Sequence, residues 1–209
     1  MARPRGSVNR RATRERILAV AERAFAKGGF HGTLLHEVAA ESGMRAPSLL
    51  YHFESKEDLF DEVVRRAYRR IEPPLLSALA SADSPRELLA SVLEAISSFE
   101  AEHRDLLGVL NAEVLGSGRH GLGAVRDTML PLVERIESAV RDASGARMPA
   151  DAPLRQALLH VIVMHAVRAN LGEIAPEILG SVDEERALAA ALLELVVSWP
   201  ERGPSPHAA

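Results

Sequence analysis

Apolar residues recur along this chain at three- and four-residue spacing, and β-branched alternation is absent, so every readable segment predicts a helix. The first runs from about Thr13 to Lys27, with Thr13 as its cap and the glycine pair at 28 and 29 as its stop. Its apolar face is Ile17, Leu18, Ala21, Ala24 and Phe25. A short second helix follows a Thr33 cap and ends at Gly43. A third spans about Ala46 to Phe53, and a fourth opens at Ser55, where "SKED" approximates a capping box. It presents Leu59, Phe60, Val63, Ala67 and Ile71 before Pro73 and Pro74 kink or end it.

Further helices are expected over roughly 85–99, 103–115, 122–143, with a bend at Pro131, and 152–171. "SPRE" (84–87) and "SVDE" (181–184) are capping boxes. In "LLHVIVMHAV" and "ALAAALLELVV" apolar residues run almost all round the helix, which predicts burial on both sides. One side would be the chain's own core and the other a two-fold partner, giving a homodimer through helices 154–171 and 183–199; central helices of a monomer are the plainer alternative. The loops 116–121 and 144–153 and the tail 201–209 are expected to be mobile.

Composition narrows the classes. The 209 residues are 47% apolar, enough for a real core. Cysteine is absent, which removes disulfides and thiolate chemistry. No apolar stretch is long enough to span a bilayer and the basic start has no h-region, so the expectation is a cytoplasmic protein without a membrane partner. No pair of Glu-x-x-His motifs and no Walker or GxSxG motif appears, which argues against an all-helical enzyme. No cofactor and no metal is expected.

Charge changes the picture more. Residues 1–70 hold 14 Lys and Arg against 9 Asp and Glu, and the remainder holds 11 against 20. A basic head on an acidic body suggests a polyanion for the head alone. The second and third helices then read as a helix-turn-helix. Val38, Ala39, Leu49 and Phe53 form the lock, and Gly43 takes the turn. Arg45, Ala46, Pro47, Ser48, Tyr51 and His52 lie on the outer side of a helix that fits a major groove about 12 Å wide. The basic start, Arg3, Arg5, Arg10, Arg11 and Arg14, would track phosphates or enter the minor groove, or else stay solvated.

The segments "ILAVAERAFAKGGFHGT", "EVAAESGM", "APSLLYHF" and "SKEDLF" together resemble the N-terminal domain of tetracycline-repressor (TetR) family regulators. Leu34, Arg45 and Leu50 depart from that pattern. The resemblance implies an all-α fold: a basic arm (1–12), a three-helix DNA-binding domain with a helix-turn-helix (13–57), and a larger C-terminal helical domain for ligand binding and dimerisation (58–200). It makes Thr33 a phosphate-contacting cap and His36 a neighbouring contact. It puts Arg45, Ala46, Pro47 and Ser48 near bases, Tyr51 and His52 on bases or backbone, and Lys56 on a phosphate. The implied function is a homodimeric repressor released from a palindromic double-stranded DNA operator by a small-molecule effector. A ligand-independent DNA-binding protein is the alternative. Polar tips and walls for an effector cavity are His103, Asn111, Glu113, His160, His165, Phe99, Met129 and Met164.

Overall fold

The computed structural model describes residues 5–81, 84–115, 120–145 and 148–199. They form α1 (Arg5–Gly32), α2 (Leu35–Glu41), α3 (Ala46–Leu50), α4 (Lys56–Ser81), α5 (Pro85–Leu115), α6 (Leu122–Ser144), α7 (Leu154–Leu171), a 3₁₀ turn (Gly172–Ile174), α8 (Ala175–Leu179) and α9 (Val182–Val197). Among the described residues there is no strand, and no helix is long and apolar enough to cross a membrane.

Two compact units emerge: Met1–Arg70 with His103–Met129, and Ile71–Glu102 with Leu130–Ala209. In the first, α2 packs on α1 and α3, around fully buried Ile17, Phe25, Val38, Leu49, Phe53, Leu59 and Phe60. Phe25 meets the Phe60 ring edge-on at 4.9 Å. Gly121, at the start of α6, lets its turn approach this core, since a Cβ there would stand 3.0 Å from Phe60 Cε1. In the second unit α7 packs on α8 and α9, with Leu154, Leu158, Val161, Leu193 and Val196 buried. Arg86 and Arg186 of α5 and α9 pair with Glu194 and Glu94, at 2.5 and 3.0 Å.

Several boundaries differ from the sequence expectation. The first helix starts at Arg5, not at a Thr13 cap. The run of Arg, Ala and Glu from 10 to 16 favours helix and holds no breaker, so residues 5–12 are helical where a flexible arm was expected. Gly29 (φ 66°, ψ −178°) does break α1, as the glycine pair predicts. Thr33 does not cap α2: Leu34 holds that position without a side-chain bond, because the Thr33 hydroxyl donates instead to the Gly29 carbonyl at 2.8 Å. Pro73 and Pro74 do not end α4, which continues to Ser81. Ile71, Leu75 and Ala78 stay buried at helical spacing through that stretch, and this burial offsets the missing amide donors. The segments 85–99 and 103–115 form one helix with a kink at His103 (φ −127°, ψ 25°).

Candidate nucleic-acid interface

The turn between α2 and α3 is built by backbone bonds. Ser42 N–H donates to Val38 O at 3.0 Å, Gly43 N–H to Ala40 O at 3.0 Å, and Met44 N–H to Ala39 O at 2.9 Å. Gly43 holds φ 71° with nothing within 4 Å of an added Cβ, so glycine serves backbone conformation there, not space. Arg45 is extended (φ −90°, ψ 152°) and starts α3 without a side-chain cap. Pro47 sits in the first turn, where a missing N–H costs little.

Burial sorts the faces of α3. Leu49 and Phe53 are fully buried, while Arg45, Pro47, Ser48, Leu50 and Tyr51 are exposed, and Ala46 and His52 are half-buried. Tyr51 is 70% exposed. Its ring lies edge-on to His52 at 5.7 Å. His36 is exposed on α2.

Side chains from α1 and α4 hold this piece. Arg14 Nη1 donates to the His52 carbonyl at 2.7 Å, pairs with Glu62 at 3.3 Å, and lies over the Phe53 ring at 4.2 Å. Arg16 Nε donates to the Ser42 carbonyl at 3.1 Å, and Arg23 pairs with Glu41 at 2.7 Å. Arg10 lies 5.2 Å from the Tyr51 ring centre. Burial first, and then the charges of Arg10 and Arg14, hold the His52 imidazole below the ordinary histidine range. Burial pushes the Glu62 carboxyl up, but hydrogen bonds and charge from Arg65 and Arg14 outweigh it and leave it low. Arg14, read from sequence as part of a basic arm, is thus spent inside the protein; only its distant partners disclose that.

Two expected phosphate contacts are otherwise engaged. Thr33 is 4% exposed, with its hydroxyl proton given to Gly29. Lys56 Nζ donates to the His31 carbonyl at 3.2 Å and lies 4.8 Å from the centre of the Phe30 ring. The structure therefore leaves Arg45, Pro47, Ser48 and Tyr51 exposed, with Ala46 and His52 half-buried beside them. It leaves Thr33 beneath the surface.

The effector candidates scatter. His160, Met164 and His165 line one cavity of about 330 Å³, with Leu179, Glu185 and Leu188. His165 is buried. Its Nδ1 faces the Val161 carbonyl at 2.9 Å, which makes Nδ1 the donor, and its Nε2 lies 3.3 Å from the Ser97 hydroxyl. Glu185 gives one carboxylate oxygen to Arg168 Nε. The other is buried with no hydrogen-bond partner, although His165 Nδ1 stands 3.2 Å away. That nitrogen's proton is directed to Val161, so the two observations agree. Phe99 belongs to the buried core, His103 marks the α5 kink, and Met129 is half-buried on α6. The side chains of Asn111 and Glu113 lie outside the described residues. No group of three or more residues able to hold a metal occurs among the described residues.

Comparison with known proteins converges on one family. The profile of the bacterial regulatory proteins, tetR family, matches residues 17–63. The HTH-type transcriptional regulator AcrR of Shigella flexneri is 32% identical over 200 residues, covering 90% of this chain and 91% of its own. The HTH-type transcriptional repressor KstR2 of Mycolicibacterium smegmatis is 36% identical over 92 residues, 44% of each chain. In fold, the fatty acid degradation regulator FadR of Bacillus halodurans superposes with a TM-score of 0.70 at 14% identity, over 91% of this chain and 97% of its own.

Proposed function

Because the chain belongs to the TetR family of transcriptional regulators, we propose that it is a homodimeric repressor that a small-molecule effector releases from a palindromic operator. The observation that carries the reading is α3 itself. Leu49 and Phe53 are locked beneath it while Arg45, Pro47, Ser48 and Tyr51 stand free above. A short helix so fixed offers its N-terminal residues to base edges. Arg45 suits a guanine or a phosphate, since a guanidinium donates to either in bidentate fashion. His36 and Lys56 flank it on α2 and α4, Lys56 needing only to leave the His31 carbonyl to reach a phosphate. Thr33 would contribute through its backbone, its side chain being buried.

Pairing of two copies is supported by apolar side chains left in solvent on α7 and α9. Val163, Leu188 and Leu195 are 47%, 71% and 63% exposed. Control by an effector is supported by the cavity on α7 and α9, whose lining is mainly apolar and holds a carboxylate with an unpartnered oxygen. A filled core would have favoured a ligand-independent repressor.

The direct test is to incubate the purified chain with sheared genomic DNA from its source organism and sequence what is retained. A short inverted repeat, recovered from few loci, is the expected result. Indiscriminate retention of any duplex at moderate salt would remove the operator reading.

A further inference from the structure

We infer that Arg10 is part of the DNA-reading surface and acts there as a unit with Tyr51, giving its guanidinium to a backbone phosphate while holding the Tyr51 ring in place. The inference rests on α3 facing DNA, and it concerns a residue of another helix, far from the helix-turn-helix motif in sequence.

Three observations lead to it. The first is the helical start of α1 at Arg5. Arg10 and Arg14 are therefore four residues apart on one face of a rigid helix, not points on an extended arm. Arg14 is anchored to the His52 carbonyl, to Glu62 and over Phe53, which fixes the rotation of α1 about its axis. One turn earlier, Arg10 is thereby delivered to the Tyr51 ring at 5.2 Å, within cation–π range.

The second is charge accounting. Several neighbouring arginines are engaged with carboxylates, Arg14 with Glu62, Arg23 with Glu41, Arg66 with Glu15 and Arg70 with Glu22, and Arg16 is bound to the Ser42 carbonyl; Arg11 is exposed like Arg10, but only Arg10 is placed against Tyr51. Arg10 is exposed and faces no carboxylate partner among the described residues. A phosphodiester would find this guanidinium uncommitted, with both of its parallel N–H donors available. The third is His52. Burial and the two arginines hold its imidazole toward the neutral form, so the positive charge beside Tyr51 comes from arginine and not from His52.

Because Arg10 sits on a helix beside α3, its target is a phosphate bordering the major groove; the minor groove would require the extended arm that the chain does not form here. Phosphate contacts add to affinity without reading sequence, while Tyr51 lies where bases are read. The pair joins the two tasks.

The test uses the full-length chain and a duplex operator selected from a random library, with anisotropy titrations over a range of salt. Arg10→Ala should weaken binding most at low salt. It should also flatten the slope of log affinity against log salt by about 1.8 per dimer, two contacts at about 0.9 each. Arg10→Lys should keep most of that slope. In a Tyr51→Ala background the loss caused by Arg10→Ala should shrink, because the two side chains act together. Circular dichroism and Tm should match the unaltered protein throughout. An Arg10→Ala protein with unchanged affinity and slope, beside a Tyr51→Ala protein that binds poorly, would overturn the Arg10 assignment and leave α3 as the reading element. Additive losses would overturn the pairing with Tyr51. No preference of the unaltered protein for any duplex would overturn both this inference and the operator reading beneath it.

Discussion

Gly43 and Gly121 hold nearly the same backbone angle, φ 71° and 77°, for different reasons. A side chain at Gly43 would meet open space, whereas one at Gly121 would press on Phe60 at 3.0 Å and Val64 at 3.1 Å. Gly43→Ala should cost about 1–2 kcal/mol, the left-handed penalty alone. Gly121→Ala should cost clearly more, since the buried Phe60 ring and Val64 methyl must move as well. Urea unfolding of both proteins measures the difference, and equal losses would contradict the close approach at Gly121. His52 makes a second prediction at this scale. Its folded pKa lies below its ordinary 6.5, so in the window between the two values the unfolded chain binds more protons. Stability should then rise with pH through that window and level off above it. His52→Gln should flatten this part of a Tm profile taken between about pH 5 and 8. Gly43 was legible in the sequence, because a turn between two apolar-faced helices calls for it. The role of Arg14 was not, because it depends on a carbonyl 38 residues away.

Elements obey the sequence where their ends are decided locally. Ser181 accepts from Glu184 N–H and Glu184 reaches back to Ser181 N–H, a complete capping box at α9. At α4 the variant is looser: Ser55 accepts from Asp58 N–H at 3.0 Å, but the Asp58 carboxylate takes the N–H of Glu54 at 3.1 Å. Ser181→Ala should destabilise the protein by about 1 kcal/mol with its helix content retained, a loss that chemical denaturation resolves; no change in midpoint would mean that the α9 start contributes nothing. Thr33 shows the limit of such reading. A threonine ahead of a helix looks like a cap, yet the break at Gly29 places a carbonyl within reach of its hydroxyl. The two prolines of α4 show the same limit, since an apolar face that remains buried carries the helix past them. The short α8 escaped notice because five residues are too few for a helical period to appear.

For the whole molecule, the decisive prediction concerns association. Leu188 and Leu195 lie seven residues apart on α9 and are mostly exposed within one chain. Charged replacements there should leave the fold of a chain unharmed and abolish pairing. Leu188→Glu with Leu195→Glu should sediment as a monomer with full helix content and lose tight operator binding, because one α3 reads only one half-site and two must stand about 34–36 Å apart, or a multiple of that. A dimer persisting in the doubly charged protein would move the interface elsewhere. Leu188 also lines the cavity, so if the proposed pairing face and effector site are right they share this residue, and effector binding should register in the association constant.

By itself the sequence determined the helical class, most helix ends and the helix-turn-helix, because each depends on spacings of three or four residues and on caps and turns a few residues long. The tertiary structure decided which charges are spent and which remain available. Arg14 and Lys56 are drawn to the His52 and His31 carbonyls, 38 and 25 residues away in the chain, and Thr33 is folded beneath the surface. A cation's partner is whatever packing brings within about 4 Å of it, and no local pattern of residues encodes that distance.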